Sequence, residues 1–420
     1  MSSKFLYSSF GSRFERQTGI GQLMEDLANI EPGTCMLGGG SPALIPEVLE
    51  SWREITSKFT KEKSWDSILS TYESPSGKQE TLEALANLLS SETGAKITKE
   101  NLIITNGSQN AFYILINFFS GLYPDGTKRN VFFPSVPEYI GYIDQPIEPN
   151  SITSLPALES VTGEDSFRYE LDSEGLKKTA TKSGLLGCAV LSRPTNPTGR
   201  VATEDEVLTI AEFCSDQKIP FFLDNAYGSP FPKIEFKKTD WVHREGMVQS
   251  FSLSKVGLPG VRTGFILANP DLISAVSKAN AVINLTSGSL GQYIGLEFLR
   301  SGEWRRLSKE FILPYYEKKR DLAIRAIRRE WRGKLDYLIH ESEGAFFLWV
   351  KFKGLKKGIS YLYSTLKKAG VIVVPGTHFY PKGLEELPSG DDCVRISFAR
   401  EDHELEEGIR RIASVLQEYI

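Results

Sequence analysis

The chain has 420 residues, of which 40% are apolar and 24% charged; this ordinary globular composition excludes a disordered chain and leaves enough material for two packed units. Lys and Arg (49) nearly balance Asp and Glu (53), and a formal charge of -4 provides no field for nucleic acid or an anionic membrane, so neither partner is expected. The four cysteines lack metal or disulfide spacing, the four histidines form no metal-binding pair, and the most apolar run, 111–119, is interrupted by Asn117 and too short to span a bilayer, which together predict a cytoplasmic protein without a metal.

Residues 1–45 read as irregular structure around short amphipathic pieces and end in the turn-rich run Gly38, Gly39, Gly40, Ser41, Pro42. Helical spacing over 46–60 and 78–91 flanks a turn marked by Pro75 and Gly77, with Tyr72 at its mouth. A strand signal at 102–105 leads through Asn106, Gly107 and Ser108 into an apolar helical run. Gly107 permits a tight turn there, and the free N–H groups of the helix start make a seat for an anion.

Strand signals recur at 130–133, 187–192, 221–224 and 247–253, with helical patterns at 136–145 and 203–216; the alternation predicts an α/β sheet. The interval from Ser254 to Phe265 is too short for a crossover helix, so a strand at 265–268 is expected to run antiparallel in a mostly parallel sheet. A charged helical region at 303–330, interrupted by Pro314, leads to strand signals at 345–351, 371–374 and 393–398 and helical patterns near 358–369 and 402–417. No internal repeat or Gly/Ser linker occurs. The expected division is a large domain over 46–305 and a smaller α+β domain over 306–420, joined by the N-terminal segment 1–45.

Three segments carry chemistry. In the first, Lys255 closes a strand, and Arg262 follows across a turn containing Gly257, Pro259 and Gly260, with Ser252 and Ser254 just upstream. A lysine can form an imine with a carbonyl group, leave when another amine replaces it, and then move a proton. An arginine fork with serine hydroxyls suits a phosphate. Taken alone, the segment also reads as a surface Lys and Arg beside a structural turn. The second is Asn196-Pro197-Thr198-Gly199 after an apolar strand, by itself a common turn. The third contains Asp224 and Tyr227, again after a strand, where an aspartate can simply cap a helix.

Taken together and in this order, the segments resemble the class I and II aminotransferases, pyridoxal-phosphate enzymes of fold type I with a mostly parallel mixed sheet in a large domain and a smaller α+β domain. The resemblance implies that Lys255 carries the cofactor as a Schiff base, and that Arg262, Ser252 and Ser254 bind its phosphate with Gly107, Ser108 and Gln109. It implies that Tyr139 stacks on the pyridine ring, that Asn196 and Tyr227 meet the phenolic oxygen, and that Asp224 keeps the ring nitrogen charged. Catalysis is thereby assigned to Lys255, Asp224 and Tyr227. Gly39, Gly40 and Arg395, with Asn196, match the substrate-carboxylate site, and Tyr72 matches a tyrosine that reaches the neighbouring subunit's cofactor, so a homodimer with shared sites is expected.

The wider pattern, including LGGGSP, NGSQNAF, FPSVPEYIGY, SRPTNPTG and SLSKVGLPG, is similar to a bacterial branch that exchanges an amino group between L-valine and pyruvate, giving 2-oxoisovalerate and L-alanine by a ping-pong cycle. Small amino acids and 2-oxo acids are then the expected partners. Alternatives are a carbon–sulfur β-lyase using the same groups and a regulatory protein that only binds the cofactor, although no helix-turn-helix extension precedes residue 45. No second arginine dedicated to a dicarboxylate stands out; Arg16 and Arg193 are the nearest candidates.

Overall fold

The computed structural model describes residues 5–15, 18–62, 64–182, 185–381 and 390–417. A central sheet takes its strands in the spatial order Leu102–Thr105, Gly264–Leu267, Met247–Ser252, Phe221–Asp224, Leu186–Ser192, Lys128–Val136 and Gly121–Leu122, with Ile152–Pro156 also paired to Lys128–Val136. Strands 128–136, 152–156, 186–192, 221–224 and 247–252 are mutually parallel. Strand 264–267 is antiparallel to both of its neighbours, so 102–105 runs with the parallel set. The short interval after Lys255 therefore acts as expected. Every residue of 186–192 and 221–224 is buried, as continuous apolar runs covered on both faces require.

A second sheet orders Val374–Pro375, Cys393–Ser397, Phe347–Phe352, Tyr337–His340, Ser166–Glu170 and Leu158–Val161. Its last two strands form a hairpin that the sequence reading had left inside the 46–305 unit; strand 166–170 leaves that unit to pair in parallel with Tyr337–His340. The N-terminal segment joins the same side of the molecule: Cys35–Met36 pairs with Val371–Ile372, and the Ser397 N–H donates to Leu37 O at 2.7 Å. One apolar core runs between the two sheets, containing Phe251 and Phe265 from the first and Phe347 and Ile396 from the second. Helix Asp402–Gln417 contributes Leu405, Ile409, Ile412 and Leu416, the buried stripe of an amphipathic helix.

Some elements differ from the reading. The expected helix at 136–145 contracts to Ile140–Ile143, because strand 128–136 runs on past residue 133. The 371–374 signal splits into two short strands that pair with different partners. Pro314 does not break the charged helix. A π-helical stretch, Leu307–Ile312, precedes it, with the Leu313 N–H bonded to Ser308 O, and Pro314 then sits in the first turn of the α-helical stretch Leu313–Trp331 that continues from it.

Candidate active site

The parallel strands end at residues 105, 136, 192, 224 and 252 along one edge of the central sheet, and 264–267 starts there because it runs the opposite way. Loops at this edge are where open α/β sheets place ligands. They enclose, with an N-terminal helix and Arg395, a cavity of about 300 Å³. It is lined by Gly40, Ser108, Gln109, Tyr139, Asn196, Asp224, Tyr227, Ser252, Ser254, Lys255, Arg262 and Arg395, twelve of the residues singled out in the sequence.

Lys255 lies in a short 3-10 turn, Ser254–Val256, directly after strand 247–252. Its Nζ donates to Gly40 O at 2.8 Å and lies 5.3 Å from the Tyr227 ring centre and 5.7 Å from that of Phe346. Burial lowers its pKa to about 8, the positive charges of Arg395 and Arg262 push it the same way, and Asp224 opposes them. The amine is thus closer to its reactive neutral form than an ordinary lysine is.

Asp224 terminates its strand. Its Oδ1 accepts from Ser250 Oγ at 2.5 Å and from the Ala226 N–H at 3.0 Å, and its Oδ2 accepts from the Tyr142 hydroxyl. Burial raises its pKa, and these hydrogen bonds and the Lys255 charge only partly restrain the rise, so a cationic group arriving beside the carboxylate would be stabilised strongly. Tyr139 stands edge-on to Tyr142, with ring centres 5.0 Å apart. Glu138 accepts from the Tyr139 N–H at 2.8 Å and from the Ser192 N–H at 2.9 Å, tying two cavity-lining segments together, and burial raises its pKa to about 8.

Arg395 is fully enclosed. Nη1 donates to Asn196 Oδ1 and Nη2 to Gly38 O, both at 2.7 Å, and the guanidinium carbon lies 4.1 Å from the Phe347 ring centre, while Nε is buried without a partner. Burial lowers its pKa to about 10, still well above neutrality. Tyr227 is boxed in by Phe346 and Phe347, and burial raises its phenol's pKa.

Arg262 takes a left-handed backbone (φ 48) and forms no ion pair among the described residues; its Nη1 bonds Pro259 O at 3.2 Å. Gly107 makes room for this guanidinium: its φ is 79, and a Cβ there would lie 2.4 Å from Arg262 Nη2. Strand register brings the two sides together, since Gly264 pairs with Ser252 on one side and Thr105 on the other. Arg262, three serine hydroxyls and the start of helix Ser108–Phe119 form a donor set suited to a phosphate dianion. With a depressed lysine for an aldehyde and Asp224 for a protonated ring nitrogen, the residues present fit pyridoxal phosphate.

Three predicted residues are placed differently. Gly39 and Gly107 are buried but do not line the cavity, and Tyr72 is 80% exposed on this chain, outside it. Arg193 turns away, bonding Ala202 O, Asp240 O and Glu204, while Arg16 lies outside the described residues. The sequence reading had passed over Tyr142, Ser250, Glu138 and the helix Gly19–Ala28, whose Ile20, Leu23 and Met24 line the cavity. The spacing of Tyr139 and Tyr142 across one helical turn was the available signal for Tyr142. Among the described residues there is no cluster of side chains able to hold a metal ion and no helix long and apolar enough to cross a membrane.

Residues 40–412 match the family model for aminotransferase class I and II. The chain is 38% identical to the valine–pyruvate aminotransferase of Escherichia coli (strain K12) over 98% of both sequences. Among solved structures it is similar to a Psychrobacter arcticum 273-4 chain (TM-score 0.94, 34% identical, 99% of each chain). It is also similar to the valine–pyruvate aminotransferase of Salmonella typhimurium LT2 (TM-score 0.86, 36% identical, 95% of this chain and 98% of that one). The chain belongs to the class I and II aminotransferases, pyridoxal-phosphate-dependent enzymes of fold type I.

Proposed function

We propose that this aminotransferase moves the amino group of L-valine to pyruvate, yielding 2-oxoisovalerate and L-alanine, in a ping-pong cycle that runs in either direction. The observation that carries the reading is the character of the cavity wall. Among the described residues its lining has no cation besides Lys255, Arg262 and Arg395, while Ile20, Leu23, Met24 and Ile140 supply aliphatic surface. Such a lining suits one carboxylate and a small apolar side chain, with no cation among the described residues placed for a second carboxylate. The similarity to two valine–pyruvate aminotransferases supports the same choice.

Arg262, Ser108, Ser252 and Ser254 would hold the cofactor phosphate, with Gly107 and Gln109 shaping the seat. Asn196 and Tyr227 would meet the phenolic oxygen, Asp224 the ring nitrogen, and Tyr139 the ring face. Bound pyridoxal phosphate supplies an electron-withdrawing ring that stabilises negative charge at the substrate Cα. Arg395 and the Gly39–Gly40 bend take the α-carboxylate and orient the Cα–H bond. Lys255 Nζ, once freed, receives the Cα proton, and its low pKa lets it give that proton up again. The aromatic box of Tyr227, Phe346 and Phe347 excludes water around this transfer.

Three wider features belong to the same proposal. The central sheet anchors a large domain and the second sheet a small one, with 1–45 and 306–420 in the latter and the 158–170 hairpin added to it. The enzyme works as a homodimer in which Tyr72, exposed on the single chain, completes the neighbouring site. Four buried free cysteines suit the reducing cytoplasm. The substrate assignment is tested by half-reactions that follow cofactor absorbance with valine, alanine, glutamate, aspartate, tyrosine and cystathionine. Conversion by valine with reversal by pyruvate is expected. Dominance of aspartate or tyrosine would reject the substrate class, and pyruvate plus ammonia from cystathionine would indicate a β-lyase.

A further inference from the structure

The aliphatic wall of the cavity stands on a helix that belongs to neither sheet. Gly19–Ala28 starts at Thr18, whose Oγ1 accepts from the Gly21 N–H at 3.0 Å, and presents Ile20, Leu23 and Met24 at the i, i+3, i+4 spacing of a single face. Its first residue is wedged: a Cβ on Gly19 would lie 3.0 Å from His378 Nδ1 and 3.2 Å from Ile140 Cδ1. Its last turn carries Asp26, roughly 110° round the helix from the centre of the wall. That carboxylate is 6% exposed and does not line the cavity.

Asp26 accepts from the Tyr363 hydroxyl and, at 2.5 Å, from Lys367 Nζ. Both donors sit on helix Gly358–Lys368 of the C-terminal region. A carboxylate is kept buried only where such partners repay its lost hydration, so the contact fixes a definite separation between the two helices. Burial and the Asp26 charge both raise the Tyr363 pKa, which keeps the phenol a donor throughout the working range. The wall helix is therefore held by a close approach at one end and, at the other, by a buried phenol–carboxylate hydrogen bond flanked by a half-exposed ion pair.

We propose that Asp26 is a positioning residue for substrate selectivity: its bonds to Tyr363 and Lys367 hold the helix bearing Ile20, Leu23 and Met24 and so set the depth of the apolar wall that meets the amino-acid side chain. This rests on the reading of the cavity as a site for small aliphatic amino acids. A loosened wall withdraws contacts that valine makes and alanine, one methyl beyond Cα, scarcely reaches. The effect belongs in the valine KM, with the proton transfer at Lys255 left as it was.

The test compares wild-type holoenzyme with Asp26→Asn, Tyr363→Phe and Lys367→Met, measuring kcat and KM for valine and alanine alongside thermal unfolding. Asp26→Asn is expected to raise the valine KM about tenfold while kcat for both substrates stays near wild type, so the valine-to-alanine ratio of kcat/KM falls about tenfold. Tyr363→Phe should move the ratio in the same direction. Lys367→Met, which keeps the Asp26–Tyr363 contact and alters a half-exposed side chain, should lower the ratio by a smaller factor, about threefold, and serves if the other two variants do not fold. An unchanged ratio in the folded variants, or a parallel loss for both substrates, overturns the proposal. If wild type rejects valine, the substrate reading fails, and the role of Asp26 is judged by the same ratio between the largest and smallest aliphatic amino acids it does accept.

Discussion

Replacing Arg395 with lysine keeps the charge and removes the fork. In the resting site its two terminal nitrogens hold Asn196 Oδ1 and Gly38 O, and Nε is buried and unpartnered, so the guanidinium has donor capacity to offer an incoming carboxylate. An ammonium has three donors on one atom and no planar pair. Two charge-assisted hydrogen bonds are together worth about 3–6 kcal/mol, and a lysine regains about half of that as a point charge, so a loss of about 1.5–3 kcal/mol is expected. That is roughly a 10- to 150-fold fall in kcat/KM for valine. The assay is a rapid-mixing half-reaction with valine and with isobutylamine, which has the same side chain and no carboxylate. Discrimination between the two should shrink by the same factor in the variant, with little change for the amine. A variant that loses activity toward both equally, or keeps wild-type kcat/KM for valine, would refute the carboxylate role.

Gly107→Ala should weaken cofactor binding at least about tenfold, because a left-handed backbone strains any Cβ by ~1–2 kcal/mol and this Cβ would meet Arg262 Nη2 at 2.4 Å; equilibrium dialysis of the refolded apoenzyme measures it, and an unchanged Kd counts against the seat. Capture of pyridoxal phosphate by the apoenzyme needs a neutral Lys255 amine, so its rate should rise with pH through about 8 and then level off; a midpoint near the ordinary 10.5 would contradict the depressed value. The same lowered pKa opposes folding of the apoenzyme below about pH 8, where the folded site must hold a charged amine. That opposition fades between about 8 and 10.5, so apoenzyme stability should gain from this residue as pH rises across that window. Mixing inactive Tyr72→Phe and Lys255→Ala proteins under subunit exchange should restore activity through one heterodimer site with both wild-type groups, and no recovery after proven exchange would exclude a shared site.

The parts of the fold visible in the sequence are those where one physical requirement acts locally. Strand 186–192 is apolar along its length because both faces are covered, and the antiparallel strand 264–267 follows from the few residues available after Lys255. The hairpin at 158–170 escaped because all four residues of its first strand are exposed, including Leu158 and Val161, so its pattern carries no burial signal, and its destination is a strand more than 160 residues away. The predicted groups that line the cavity were legible because they cluster at or just beyond the strand ends. Their supports were not: Ser250 reaches Asp224 only through the register of adjacent strands, and Glu138 joins Tyr139 to Ser192 across 54 positions. Such partners are chosen by tertiary packing, for which local sequence has no signature.

The N-terminal bend ties the two halves of the proposed chemistry together. Gly38 O holds Arg395 and Gly40 O holds Lys255, so the carboxylate grip and the reactive amine bond to one stretch of backbone. That stretch is anchored to the C-terminal sheet and last helix: Leu37 O takes the Ser397 N–H, and the Met36 N–H donates to Glu404 Oε1 at 2.7 Å. Arg395 and the bend are thereby tied to each other and to the C-terminal sheet, while Gly40 O links them to Lys255 beside the central sheet. The same pair is coupled electrostatically. The positive charge on Arg395 helps to depress the Lys255 pKa, and a substrate carboxylate seated on Arg395 cancels that influence. Binding of an amino acid thus raises the proton affinity of Lys255 at the point where the freed amine must accept the Cα proton, while release of the oxo acid restores the repulsion and favours the neutral amine. An amine without a carboxylate produces no such change, so the grip contributes to proton transfer as well as to orientation, and the isobutylamine comparison separates the two contributions by whether kcat as well as KM depends on the carboxylate.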